Sequence, residues 1–329
     1  MKKLLGIILA LALLLGCASA LADDPITLTY AEVNPLDGTI VGEMAKAFKE
    51  KAEEVSGGEI TIDIQAGGVL GSEDQILDNL LGGGNITDIS RISAFALTQY
   101  GCDKAKLLSI PYTFVNEEHF WKFADSELAQ EFLLEPQELG LGLRGLCYGE
   151  EGFRHFFFKN EVKGLEDLKG LKIRVSSDPV MTGMVTNLGA SATTVAFTEL
   201  YSALNTGVVD GAEQPLSGID GNAFYEVANN LTLDNHTYNI PVLLFSERTW
   251  NSLNEDTQAL LREKWTETIE EYYRPQLADY EAGLLEKFQE KGMAVHEITD
   301  YEKWVEAVEP VWAQYGAGLE DLIAAVQAK

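Results

Sequence analysis

Twice along this chain, short runs of β-forming residues alternate with stretches of helical period, and this alternation limits the possible folds more than any other feature. Ile26–Tyr30 alternates as a strand, and Ile40–Val55 gathers Val41, Met44, Ala45, Phe48 and Ala52 on one helical face. Gly57-Gly58 closes that helix, Ile60–Ile64 reads as a second strand, and Ser72–Leu81 reads as a helix opened by a serine. Gly82-Gly83-Gly84 ends it, and Ile86–Ile92 is a third short strand. The order β-α-β-α-β predicts a mostly parallel sheet with helices on both faces. The pattern restarts in mid-chain. Gly142–Cys147, His155–Lys159, Leu171–Val175, Thr193–Val195 and Val208–Ala212 read as strands, with helical segments at Leu165–Leu168, Pro179–Leu188 and Phe197–Thr206.

The last ninety or so residues differ in kind. Glu255–Glu290 is nearly all helix formers, interrupted at Pro275 and Gly283, with Leu261, Trp265, Ile269, Leu277, Leu284 and Phe288 at helical spacing. A helix of that length reaches on the order of 50 Å, more than one domain needs, so it is expected to bridge both units. Two α/β lobes joined by a helical brace around a cleft form a ligand clamp.

The N-terminus supplies an address. Lys2 and Lys3 precede the apolar run Leu4–Leu15, which is too short to span a membrane and fits a signal-peptide core. Leu14-Leu15-Gly16-Cys17 reads as a lipobox, and Ala20-Leu21-Ala22 reads as an ordinary cleavage site, which sets the signal peptide at 1–22. Both readings export the chain, to the periplasm or to a lipid anchor on the outer face of the cytoplasmic membrane. The formal charge of −28 argues against a nucleic-acid partner. Cys102 and Cys147 could pair in an oxidising compartment or remain two buried thiols.

Catalytic signatures are missing. No two of His119, His155, His236 and His296 stand four apart, there is no CxxC pair, and no G-x-S-x-G elbow exists. Gly140–Gly145 matches G-x-G-x-x-G but leads into another strand-like run instead of a helix. No enzyme, metal or cofactor is expected.

With few cations available, arginines in apolar settings stand out. Arg174 sits at the carboxyl end of an alternating strand, where open α/β sheets bind ligands, and its guanidinium can hold a carboxylate through two parallel hydrogen bonds. A salt bridge to a neighbour such as Asp178 is the plainer alternative. Arg154, between Phe153 and His155, and Arg91, near Asp88, are further candidates for binding or for structural ion pairs. Gly207–Pro215 reads as a strand entering a polar turn, where Glu213 and Gln214 could orient ligand hydroxyls or amides.

Several blocks then converge. Asp167–Val175 (DLKGLKIRV), Leu188-Gly189-Ala190, Phe197–Leu204, Gly207–Pro215, Gly68–Glu73, Ile110–Phe114 and Ser246–Leu253 resemble, in order and spacing, the solute-binding proteins of tripartite ATP-independent periplasmic (TRAP) transporters, DctP type. The resemblance implies a periplasmic-binding-protein type II-like (Venus flytrap) α/β fold with a long helix bridging the lobes. Lobe I is expected at 23–148 plus roughly 236–270, and lobe II at 149–235 plus C-terminal helices at roughly 271–329. It also implies a monomer that closes on a small organic acid and delivers it to the TRAP permease subunits. Arg174 matches the family's main carboxylate clamp, Arg154 a second arginine, and Phe197 an aromatic that packs on the ligand. Glu213-Gln214-Pro215 stands where the family carries Glu-Asn-Pro or Glu-Asn-Asn. Glu32, Arg91 and His236 resemble the branch that carries sugar acids, and acceptors such as Glu32, Glu73 and Glu213 beside an arginine suit a polyhydroxy acid. A hexuronate-like ligand is therefore expected. The alternatives are a C4-dicarboxylate, another monocarboxylate, or an exported enzyme acting on sugar acids.

Overall fold

The computed structural model describes residues 25–83 and 86–328. The expected signal peptide, Cys17 and Gly84 lie outside the described residues. Eleven strands are present among those described: β1 (Ile26–Ala31), β2 (Ile60–Gln65), β3 (Ile89–Ser93), β4 (Leu143–Tyr148), β5 (Phe153–Phe158), β6 (Lys172–Val175), β7 (Ser191–Thr194), β8 (Gly211–Pro215), β9 (Asn230–Tyr238), β10 (Pro241–Ser246) and β11 (Ala294–Glu297). They form two sheets, ordered β2-β1-β3-β10-β4 and β11-β9-β5-β8-β6-β7.

Each sheet is mostly parallel, as expected, with one strand reversed. In the first, β10 returns antiparallel between β3 and β4. In the second, β5 lies antiparallel to both β8 and β9. The cause is the route of the chain, which crosses between sheets at 149–152 and again at 239–240, so each sheet receives a strand from the other half running backwards. β9 belongs to the second sheet and continues to Tyr238, past the change of lobe expected at 235.

Local signals explain the elements well. Helix α1 (Ile40–Val55) is capped by the Thr39 hydroxyl, which accepts from the Gly42 N–H, and it buries the predicted apolar stripe. Helix α2 (Glu73–Leu81) opens with a reciprocal capping box between Ser72 and Gln75. β8 begins three residues later than expected. Val208 is solvent-exposed, and Asp210 instead makes a turn, its carboxylate accepting from the Lys172 N–H at 2.8 Å. Glu213 and Gln214 therefore lie in a fully paired strand and not in a turn.

The predicted long helix is continuous but not uniform. α-Helices at Glu255–Glu267 and Arg274–Glu290 are joined by a π-helical turn, Thr268–Tyr273. Pro275 lacks an N–H and would clash with the carbonyl four residues back in a regular helix, and the wider turn before it relieves that conflict. Gly283 breaks nothing. The first half packs on the first lobe, Trp265 edge-on to Phe48 with ring centroids 5.1 Å apart. The second half reaches the other lobe, where Lys287 pairs with Asp220 at 2.7 Å. No helix among the described residues is long and apolar enough to cross a membrane. Cys102 and Cys147 are separate thiols.

Candidate ligand-binding site

Between the two sheets lies a cleft with about 630 Å³ of empty space, its open mouth included. Its walls come from the carboxyl ends of β1, β3 and β6, from β5 and β8, and from both crossings, so the fold places it where open α/β sheets take their ligands. Six of the nine predicted site residues line it: Glu73, Arg91, Arg154, Arg174, Phe197 and Gln214. Glu32, Glu213 and His236 lie behind the wall, fully buried.

Those three are engaged elsewhere. Glu32 grips Arg91 bidentately, with Nε and one terminal nitrogen each at 2.7 Å, and also accepts from the backbone and side-chain amides of Asn34. Glu213 grips Arg154 in the same way, with a terminal nitrogen at 2.9 Å. His236 stands between Glu213 (3.5 Å) and Asp234 (2.7 Å) and stacks on Phe156. The expectation that Glu32 and Glu213 face ligand hydroxyls is therefore corrected, since their oxygens are already taken by guanidinium and amide donors.

Arg91 is held a second time by Glu151 at 3.1 Å, and Arg154 also donates to the Asn239 side chain. Arg174 differs. It is buried, its Nε donates to the Val195 carbonyl at 2.8 Å, and no carboxylate pairs with it among the described residues. Asp178, the alternative partner, instead caps the helix Pro179–Asn187 through the Val180 N–H. Burial lowers the Arg174 pKa to about 10, with Glu213 opposing and Arg154 reinforcing the shift. A desolvated cation at a cleft wall without a counter-ion is a receptor for an anion. Phe197 covers one side of the cleft and meets Phe224 edge-on at 5.9 Å.

Sequence reasoning missed Glu151, Asn239, Asn34, Ser93, Ser217 and Asn222, all in the cleft wall. The one available signal was Glu150-Glu151, an acidic pair set between two strand-like runs. Such a pair is costly to bury without a purpose.

The buried titrating groups set a pH window for stability. Burial raises the Glu213 pKa, but Arg154 and His236 overcome it and bring it to about 2. Its stabilisation is present above the unfolded value near 4.5 and is lost as pH falls towards 2. His236 reaches about 8, burial being outweighed by Asp234 and Glu213, so its contribution is present below about 6.5 and is lost as pH rises through 8. Burial also raises Glu150 and Asp178 to about 7 and Glu281 to about 8, and each destabilises the fold increasingly as pH rises to those values, from about 3.8 for Asp178 and about 4.5 for the two glutamates. His155, held neutral by burial with a pKa of about 3, adds a penalty below about 6.5 that the three acids outnumber. The unfolding midpoint is accordingly expected to peak near pH 4.5, to fall as pH rises from there to 8, and to fall again below about 4.5. A thermal scan in matched ionic strength checks this, and a higher midpoint at pH 8 than at pH 6 would refute it.

Comparison with known proteins identifies the family. The family described as "Bacterial extracellular solute-binding protein, family 7" (DctP) matches residues 30–318. A solute-binding protein of Sulfitobacter sp. is 30% identical over 291 residues, covering 86% of each chain. The C4-dicarboxylate-binding periplasmic protein DctP of Rhodobacter capsulatus is 27% identical over 340 residues, covering 99% of this chain and 98% of the relative. Among solved structures, a TRAP periplasmic solute-binding protein of Pseudomonas putida with bound D-glucuronate superposes with a TM-score of 0.87 at 28% identity, covering 92% of this chain and 97% of its own. These are binding proteins of transport systems and not enzymes. With its two lobes, bridging helix and arginine-lined cleft, the chain belongs to the DctP family of TRAP-transporter solute-binding proteins.

Proposed function

We propose that the cleft captures a hexuronate or related sugar acid and that Arg174 is its carboxylate clamp. The observation that carries this is the buried Arg174 guanidinium, which faces the cleft without an ion pair among the described residues. Arg154, Arg91, Gln214, Glu73 and Phe197 complete the contact surface, the last as an apolar face for the carbon ring. Glu32, Glu213 and His236 act from behind by fixing the arginines. Several polar side chains around one unpaired cation suit a ligand with one carboxylate and several hydroxyls. The similar Pseudomonas putida structure, with its D-glucuronate, supports the same class.

Closure follows from the topology. The lobes, up to 148 with roughly 241–270 and 153–238 with roughly 271–328, hinge at 149–152 and 239–240, and a carboxylate bridging Arg174 to the opposite wall binds the closed state better than the open one. The protein acts as a monomer outside the cytoplasm, released after Ala22 or anchored through Cys17, and hands its ligand to the TRAP permease. Nucleic acid plays no part. Intact mass of the processed chain distinguishes the two N-termini.

The test is a thermal-shift screen of the protein, refolded from denaturant to strip any co-purified ligand, against hexuronates, aldonates, C4-dicarboxylates and amino acids. At 100 times its dissociation constant a ligand stabilises by about 2.7 kcal/mol, a shift of several degrees. D-Glucuronate or D-galacturonate is expected to give it. A shift with dicarboxylates alone overturns the sugar-acid assignment, and no shift with any acid overturns the clamp.

A further inference from the structure

We infer that Glu73 is the specificity-determining residue of this cleft, selecting ligands that present a hydroxyl and excluding those that present a second carboxylate. The inference rests on the reading of the cleft as an organic-acid site. Three other carboxylates stand in or behind its wall, and all are answered by cations. Glu32 holds Arg91, Glu151 accepts from Arg91 and Asn239, and Glu213 holds Arg154. Glu73 lines the same cleft and is bound only by the Ser93 backbone N–H at 3.3 Å, with no ion pair among the described residues. The cleft therefore contains one cation and one carboxyl that are both unanswered, Arg174 and Glu73. An empty site with that pair is complementary to a ligand carrying one carboxylate and, elsewhere, hydrogen-bond donors.

The groups facing Glu73 fix the direction of the effect. Burial raises its pKa against the pull of Arg91 on β3 and, less strongly, of Arg174 on β6, while Glu32 beyond β1 adds to the rise. Arg91 acts on Glu73 through its charge alone, because its hydrogen bonds go to Glu32 and Glu151. A hydroxyl donates to the ionised Glu73 at no cost in charge. A second ligand carboxylate must either lie against an anion or wait for Glu73 to take up a proton. Dicarboxylate binding therefore weakens as pH rises, and sugar-acid binding holds.

Calorimetric titration of wild type and Glu73→Gln with D-glucuronate and D-glucarate tests this. The two ligands have the same six carbons, and the second carries a further carboxylate. Wild type is expected to prefer glucuronate at least a hundredfold, with the gap widening from pH 5 to 8. Glu73→Gln is expected to weaken glucuronate about tenfold, to tighten glucarate about tenfold, and to flatten the pH dependence of the ratio. Glu73→Ala, which removes the amide's own hydrogen bonds, moves the ratio the same way. A ratio unchanged in both variants, or glucarate not tightened, overturns the assignment. Failure of wild type to bind any acid is a separate result and counts against the clamp at Arg174.

Discussion

Arg174→Lys is expected to weaken ligand binding at least tenfold while leaving the fold intact. A lysine retains the charge but loses the fork that grips two carboxylate oxygens, and it also loses the Nε–H that the Val195 carbonyl uses to aim the group. Hydrogen bonds to charged groups contribute about 1.5–3 kcal/mol each, so losing one of a pair already costs a factor of about ten or more. Arg174→Met removes the anion receptor altogether and should abolish binding. The same change should raise the unfolding temperature of the ligand-free protein, because it replaces a buried cation that has no ion pair among the described residues with an apolar side chain of similar length. Titration calorimetry and a thermal scan on the three proteins check both halves. An unchanged dissociation constant in Arg174→Lys removes Arg174 from the clamp, and a less stable ligand-free Arg174→Met would mean that an internal partner satisfies the guanidinium.

How much of this was readable beforehand depends on the range of the interactions concerned. β1, β2, α1 and the capping box at Ser72 follow from periods of 2.0 and 3.6 and from hydrogen bonds spanning three residues, and they appear where expected. The segments 103–109, 117–124 and 127–138 are helices that the sequence did not announce. In the second, Phe120, Trp121 and Phe123 are all buried, an aromatic run and not a stripe, and Pro136 sits inside the third. The arginines were legible as cations in apolar settings. Their partners were not, because Arg91 meets Glu32 and Arg154 meets Glu213 across 59 residues each, and only the pairing of distant strands brings them together. Acids that looked like ligand acceptors in sequence are thus counter-ions in space, and the one left unanswered, Glu73, could be told from the others only once every partner was placed.

That separation between contact and support leads to the largest stability effect. Glu213→Ala is expected to destabilise the fold by about 3–5 kcal/mol, because it leaves Arg154 buried with only the neutral Asn239 amide and the residue-213 carbonyl as acceptors and removes one of the two anions that keep His236 charged. Urea unfolding at pH 6 measures it. The acid limb between about pH 4.5 and 2 should flatten in this variant, since the carboxylate whose protonation drives part of it is gone. Replacing both members with apolar residues, Arg154→Met with Glu213→Leu, should recover most of the loss, because a buried ion pair is often no more stabilising than well-packed apolar side chains of similar volume. The double variant should nonetheless bind sugar acids at least tenfold more weakly than wild type, since the guanidinium that Glu213 aims into the cleft is missing. Recovered stability with lost affinity would show that the pair is retained to position a ligand contact. A cost below about 1 kcal/mol for Glu213→Ala would show instead that water reaches Arg154, and the buried-pair account of this wall would then be wrong.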